Sequence, residues 1–281
     1  MNRQRPRLRK REIAFAVAAG LVAAGGAGLI LSEMSDDPIV KVNVVGPREK
    51  TYDVASFDGI SNVGPQDVVV TMGDTFSIRS EGSPQALSLL ETKVENGTLK
   101  IGPGDDFNWG RDWRRLQGAT FYVTLPKLDS VALAGSGDMR IDRIKGESFS
   151  GTIAGQGALS IGSIEVDDVD FSIGGSGSVA ASGTAGSTHV SIGGRGDVEA
   201  GALHSKTASI AIGGSGDVAL TVDDEAKVSI FGRGDVNIAG TAHCSVTKMG
   251  VGDVHCAGDE TADSPNVNVN VNVNPNLNIN D

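Results

Sequence analysis

Residues 212–220 read IGGSGDVAL, residues 192–200 read IGGRGDVEA and residues 231–239 read FGRGDVNIA. One such glycine-rich turn between a strand and a helix would suit a phosphate, because glycine lets backbone N–H groups approach an anion. Here the turn recurs, and no helical pattern follows any copy. Its first glycine falls at Gly135, Gly155, Gly175, Gly194, Gly214, Gly232 and Gly250, at spacings of 20, 20, 19, 20, 18 and 18. A period near twenty residues marks a solenoid, in which one coil cannot bury its apolar side until a neighbour stacks on it.

The positions beside the turn support this. Two before the first glycine stand Leu133, Ile153, Ile173, Ile192, Ile212 and Ile230, with Lys248 ending the column; four before it stand Val131, Gly151, Phe171, Val190, Ile210, Val228 and Val246. Four after it come Met139, Leu159, Val179, Val198, Val218, Val236 and Val254, and six after it Ile141, Ile161, Ala181, Ala200, Leu220, Ile238 and Cys256. The residues between are mostly Ser, Thr, Ala, Asp, Asn and Gly. Alternation with period two on both sides of a turn predicts strand, turn, strand. The expected fold is all-β, a parallel β-helix of about seven coils, roughly 34 Å long at about 4.8 Å per coil. With 39 glycines in 281 residues and 4% aromatics, the composition suits a thin aliphatic core.

A stack has two open ends that would template aggregation if left bare. Residues 44–126 are expected to form an N-terminal β cap: "QDVVVTMGDTFSIRSEG" and "KVENGTLKIGPG" are strand-like, with an Asn96-Gly97 hairpin signal. Residues 127–258 carry the repeats. Residues 259–281 form a low-complexity tail, "SPNVNVNVNVNPNLNIND", whose Asn/Val alternation between Pro265 and Pro275 suits a flexible tail, an added edge strand or an end cover.

Together, "YDVASFDGISNVGPQDVVVTMGD" (52–74), "ETKVENGTLKIG" (91–102), "FYVTLPKLDSVALAGSGDMRI" (121–141) and the iterated G-S-G-D turns resemble the auto-transporter adhesin head GIN domain family of bacterial envelope proteins, over about Val44 to Ala257. The resemblance implies a right-handed β-helix outside the cytoplasm and no particular chemistry.

The first residues point to the membrane. "MNRQRPRLRKRE" (1–12) holds six basic residues and one acid, and residues 13–31, "IAFAVAAGLVAAGGAGLIL", carry no charge. Nineteen apolar residues in a helix span about 28 Å, enough for a bilayer core. Basic residues before the span place the N-terminus in the cytoplasm and the rest in the periplasm or outside the cell, after a linker at 32–43. A cleaved signal peptide is the rival reading. Gly20, Ala24 and Gly28 share one helix face, which suits either helix pairing or an Ala/Gly-rich span with no partner. Residues 35–281 hold 18 basic against 33 acidic residues, a net charge of −15, which disfavours nucleic acid and anionic surfaces.

Five turns place an aspartate after the second glycine: Asp138, Asp197, Asp217, Asp235 and Asp253, with Ala158 and Ser178 as exceptions. Stacked carboxylates suggest calcium, although nonapeptide β-rolls that bind it differ in period; the alternative is aspartate bonding its own turn backbone. Two copies read Arg-Gly-Asp, at 195–197 and 233–235, inside a turn whose glycine and aspartate belong to the repeat. Cys244 and Cys256 lie in inward columns of the last coil and either pair across the core or stay as small buried thiols; His243 and His255 should point outward, away from them. The loop "GDDFNWGRDWRRLQG" (104–118) gathers Trp109 and Trp113 with Arg111, Arg114 and Arg115, either as a contact surface for an envelope protein or glycan or as a cap over the first coil. The four histidines, His189, His204, His243 and His255, have no nucleophile motif beside them. Asp167, Asp168 and Asp170 in "VDDVD" suit a solvated bend, or in an enzyme a polysaccharide-cleaving groove. The sequence thus favours a membrane-anchored envelope protein with an adhesion-like or scaffolding solenoid, no cofactor and no catalysis. A carbohydrate-active enzyme and an envelope-sensing partner are the alternatives.

Overall fold

A computed structural model describes residues 40–105, 107–108 and 112–260. The basic segment 1–12, the apolar span 13–31, Trp109, Arg111 and the tail 261–281 lie outside the described residues. Among those described, no helix is long and apolar enough to cross a membrane.

The chain is all-β, and its glycine-cornered part winds as a β-solenoid of about six turns. Seven glycine corners bound six full windings, hence one fewer than the seven coils expected. Successive coils pair in parallel and in register, Phe171 against Val190, Val190 against Ile210 and Ile210 against Val228. The apolar columns point inward as their alternation predicts: Leu133, Ile153, Ile173, Ile192, Ile212 and Ile230 are buried, as are Met139, Leu159, Val179, Val198, Val218 and Val236. Gly151 interrupts a column for a packing reason. A Cβ there would stand 3.2 Å from the Phe171 ring, and the Phe149 and Phe171 rings meet edge-on at 6.5 Å in that space.

Each coil has three sheet faces, not the two that the sequence pattern suggests. Long bent strands such as Ala158–Ile173, Ser178–Ile192 and Asp197–Ile212 carry a middle segment whose Ile164, Ala185 and Leu203 are also buried. Differences in coil length are absorbed beside this middle face, where the pairing shifts between Ile161 and Ile164, Ala180 and Ser182, and Ala200 and His204. The glycine corner therefore stays in register.

At that corner the backbone itself is stacked. The N–H of Gln156, Ser176, Arg195, Ser215, Arg233 and Val251 each donates to the carbonyl of the first turn glycine one coil earlier, at 2.7–2.9 Å. The coils approach so closely that a Cβ on Gly214 would overlap the Gly194 carbonyl oxygen, and one on Gly216 that of Gly196. The turn aspartates add a second ladder. Asp197 Oδ1 accepts from the Asp217 N–H (3.1 Å), Asp217 from Asp235 (2.9 Å) and Asp235 from Asp253 (2.8 Å). Each carboxylate thus serves the next coil and not its own turn, and it stands in for a carbonyl where the corner leaves a strand N–H unpaired.

Two strand pairs in residues 44–126 extend this stack. Gly59–Gly64 lies parallel between Thr98–Pro103 and Ser130–Gly135, and Asp67–Met72 lies parallel between Thr120–Leu125 and Met139–Ile141. Space and sequence disagree in order here, since the later pair is the outer one. The corner Gly64-Pro65-Gln66-Asp67 replaces G-S-G-D, and Asp67 Oδ1 accepts from the Asp138 N–H at 2.9 Å across 71 residues. Gln66, in the second glycine's place, turns its amide inward to Asn62 Oδ1 at 2.7 Å.

Antiparallel strands then close this end. Leu90–Glu95 pairs with Thr98–Pro103 through a tight turn at Asn96 (φ 50°) and Gly97 (φ 75°), the geometry that an Asn-Gly hairpin favours. Ser77–Glu81, Glu49–Asp53 and Lys41–Gly46 follow on the other face. The short helix Pro84–Leu89, capped by the Ser83 hydroxyl accepting from the Ala86 N–H at 3.0 Å, buries Ala86 and Leu87 against them.

Two stability outcomes follow from the corner. Gly214→Ala should cost about 1–3 kcal/mol, because the backbone must move apart to admit the methyl group, whereas Ser215→Ala in the same turn should stay within about 0.5 kcal/mol; chemical denaturation measures both. Asp217→Ala should cost about 1 kcal/mol by orphaning the Asp235 N–H, and Asp217→Asn should recover most of this loss because its amide oxygen still accepts.

Candidate functional site

The strands that follow the middle face present a flat outward surface. Inward residues hold each strand to the core, and the residues between them stack outward in columns one coil apart. In one column Ser148, Asp168 and Ser187 are in register; in the next, Ser150, Asp170 and His189. Together with Asp129 these side chains line an open groove of about 200 Å³, floored by Phe149 and Val169. The Ser187 hydroxyl donates to Asp168 Oδ1, and the Ser172 hydroxyl to Asp170 Oδ1 at 3.1 Å. Lys127 Nζ donates to Asp129 at 2.6 Å, and this bond raises the lysine pKa above its usual value. Asp167 is exposed and lies outside the groove. The groove is smaller than the roughly 300–1,000 Å³ typical of sites that enclose a small molecule. It offers carboxylate acceptors, hydroxyls and one imidazole on a rigid support, the chemistry for bonding several hydroxyl groups of a ligand lying across it.

Of these residues the sequence pointed only to Asp168 and Asp170. Ser150 and His189 were legible as well: each stands five before its turn glycine, as Asp170 does, and Ser148 and Ser187 stand seven before, as Asp168 does. Comparing outward columns would have assembled the groove.

The tryptophan loop occupies the place of a glycine corner in the outermost parallel coil, between Thr98–Pro103 and Thr120–Leu125. The described part is pinned from inside. Leu116 and Asp112 are buried, and the Asp112 N–H donates to the Asn108 carbonyl at 2.8 Å. Trp113, Arg114 and Arg115 form a 3-10 turn; Trp113 is half-buried, both arginines are exposed, and Arg115 pairs with Asp112 at 3.3 Å. The described part therefore packs inward at Asp112 and Leu116 and shows Arg114 and Arg115 outward.

At the other end Cys244 and Cys256 are disulfide-bonded, with their Cα atoms 6.4 Å apart. Asp259 accepts from the Cys244 N–H at 3.1 Å and lies 3.3 Å from His243 Nδ1. Cys244, Cys256 and Asp259 form a close set of potential metal donors, but the disulfide uses both sulfurs. Among the described residues no set of three turn aspartates gathers in this way. The aspartates of both Arg-Gly-Asp triplets, Asp197 and Asp235, belong to the corner ladder.

A protein-family model described as "Putative auto-transporter adhesin, head GIN domain" matches residues 56–242. No curated protein matches the chain. Among solved structures, a "putative adhesin" from Bacteroides fragilis superposes with a TM-score of 0.67 at 22% identity, covering 74% of this chain and 95% of that one. A "putative lipid binding protein" from Parabacteroides distasonis gives 0.56 at 20% identity, with coverage of 73% and 95%. A "putative adhesin" from Parabacteroides merdae gives 0.53 at 15% identity, with the same coverage. These likenesses establish the shared fold. The family match takes in two-thirds of the sequence, and the chain belongs to the auto-transporter adhesin head GIN domain family.

Proposed function

We propose that the protein is an adhesin-like contact module of the cell envelope, held at the membrane by residues 13–31 with residues 1–12 on the cytoplasmic side, and that its groove binds a neutral or amino-bearing glycan. The observation that carries this is the outward surface on which Asp129, Asp168, Asp170, His189 and three serines converge above a buried floor. Pyranose hydroxyls spaced a few ångströms apart can bond to two coils at once, since adjacent coils are about 4.8 Å apart. Carboxylates accept such bonds strongly, and the same charge repels sulfated or carboxylated sugars. Trp113, Arg114 and Arg115 supply a second contact, where aromatic and guanidinium faces stack on sugar or protein.

Family membership and the shallow, open groove both favour binding over catalysis. The paired cysteines suit an oxidising compartment, in keeping with export by the N-terminal segment.

Glycan-array and titration measurements on the full chain test the groove. Asp168→Ala with Asp170→Ala should weaken retention of a neutral glycan by about tenfold or more, about 1.4 kcal/mol. Trp113→Ala should weaken it less. Unchanged binding in the double variant, or equal preference for sulfated sugars, would overturn the groove assignment.

A further inference from the structure

The groove has a long direction, and it runs along the rod. Its outward side chains come in pairs from successive coils: Ser148 and Ser150, then Asp168 and Asp170, then Ser187 and His189, with Asp129 on the coil before. Each pair stands seven and five before its turn glycine. Three before the glycine, Thr152, Ser172 and Ser191 are in register on the same strands and also point outward, yet none of them lines the groove. The groove is therefore two columns wide, about 7 Å, and four coils long, about 14 Å. Spread over that footprint, about 200 Å³ is shallow, so a ligand rests on the surface with its length across the coils.

The polar columns continue past the groove. Ser187 and His189 are followed in register by Thr207 and Ser209, and these by Glu225 and Lys227. Thr207 is exposed and Ser209 half-buried. An ion pair stands at each end of this track, Lys127 with Asp129 at 2.6 Å and Lys227 with Glu225 at 3.2 Å. Between them Asp168 and Asp170 accept from the hydroxyls of Ser187 and Ser172. Hydroxyl donors leave the charge of a carboxylate in place, so the middle of the track favours a cationic group while its flanks offer neutral hydrogen-bonding partners.

Building on the glycan assignment made above, we propose that the ligand is an extended, β-1,4-linked chain of amino sugars lying along the rod, one sugar to each coil, from Asp129 to Thr207 and Ser209. In such a chain a pyranose with its linking oxygen advances by about the height of one coil, and parallel in-register stacking supplies equivalent positions at that constant spacing. The amine of the sugar over Asp168 and Asp170 donates charge-assisted bonds to them. Serine and threonine hydroxyls and the His189 ring bond to the hydroxyls of the sugars on either side. A chain that curls leaves a straight track after a coil or two, and a single sugar uses only one pair of positions.

Calorimetric titration of the full chain with β-1,4-linked glucosamine oligomers tests this. Affinity should rise at least about tenfold from the dimer to the tetramer, which fills the groove, and about threefold again to the hexamer, which reaches Thr207 and Ser209. Thr207→Ala with Ser209→Ala should remove the second gain, which rests on their hydrogen bonds, and leave the dimer and tetramer unchanged. Asp168→Ala with Asp170→Ala should weaken all three. Spermine, a flexible polyamine with as many amines as the tetramer, should bind at least about tenfold more weakly than the tetramer. Equal affinity for dimer and tetramer, with the dependence on Asp168 and Asp170 intact, would overturn the axial placement and leave the groove assignment standing. Spermine binding as tightly as the tetramer would reduce the effect to charge and defeat the proposal. Binding that ignores the aspartate substitutions, or no binding of any oligomer, would remove the groove assignment together with it.

Discussion

The stacking of backbone on backbone at the glycine corner governs the architecture. Each corner N–H reaches the carbonyl of the glycine one coil below at 2.7–2.9 Å, and no side chain fits between. The contact sets the distance between coils, and the strand pairing on all three faces inherits it. It also explains which variation is tolerated. The residue between the two glycines points out and changes freely among Ser, Gln, Arg and Val, while length changes of one or two residues are moved to the middle face, far from the corner. The glycines are spacers, and the apparent phosphate loop is a by-product of the spacing.

Uniform stacking leaves the ends as the expensive places, because a solenoid edge carries unpaired N–H and C=O groups and an uncovered core. At the N-terminal end the chain reverses order in space: it lays down Gly59–Met72 first, makes an antiparallel excursion, and inserts Thr98–Leu125 beneath it. The loop with Trp113 then takes the corner position of that outer coil, with no further parallel coil below it among the described residues. A large side chain is permitted there for the same reason that it is forbidden at Gly214. The disulfide between Cys244 and Cys256 crosses the core at the other end, where the aliphatic columns run out.

What could be read from the sequence follows from this geometry. Period, inward columns and the Asn96-Gly97 hairpin are local and repeat, so alternation revealed them. The middle face escaped because the register slips beside it: Ile164 and Leu203 stand nine after their first glycines, but the residue between them in register is Gly183, eight after its own and with no side chain to mark the column. The coil Gly59–Met72 escaped because Pro65 and Gln66 replace the small turn residues and 71 residues separate Asp67 from its ladder partner Asp138. The groove was half visible: Asp168 and Asp170 stand two apart on one strand, but His189 joins them only through register. The aspartate ladder was visible as a column, and its bonding was not, since the acceptor serves a backbone N–H eighteen or twenty residues away.

Charge placement shows how an acidic chain tolerates this stacking. Two carboxylates about 5 Å apart repel by roughly 1–3 kcal/mol between bulk-water and near-surface screening, and a solenoid brings equal offsets to about that distance. The outward columns avoid the conflict. Ser150, Asp170, His189, Ser209 and Lys227 succeed one another in register, as do Ser148, Asp168, Ser187, Thr207 and Glu225, with no acid above another. The corner column does stack aspartate on aspartate, from Asp197 to Asp253, and there each successive carboxylate up to Asp235 accepts the N–H of the next coil. The donor that relieves the repulsion is the one the corner would otherwise leave unpaired, so acid and backbone satisfy each other along the rod. The same spacing rule leaves the groove carboxylates flanked by hydroxyls and an imidazole, polar neighbours that can turn toward a ligand.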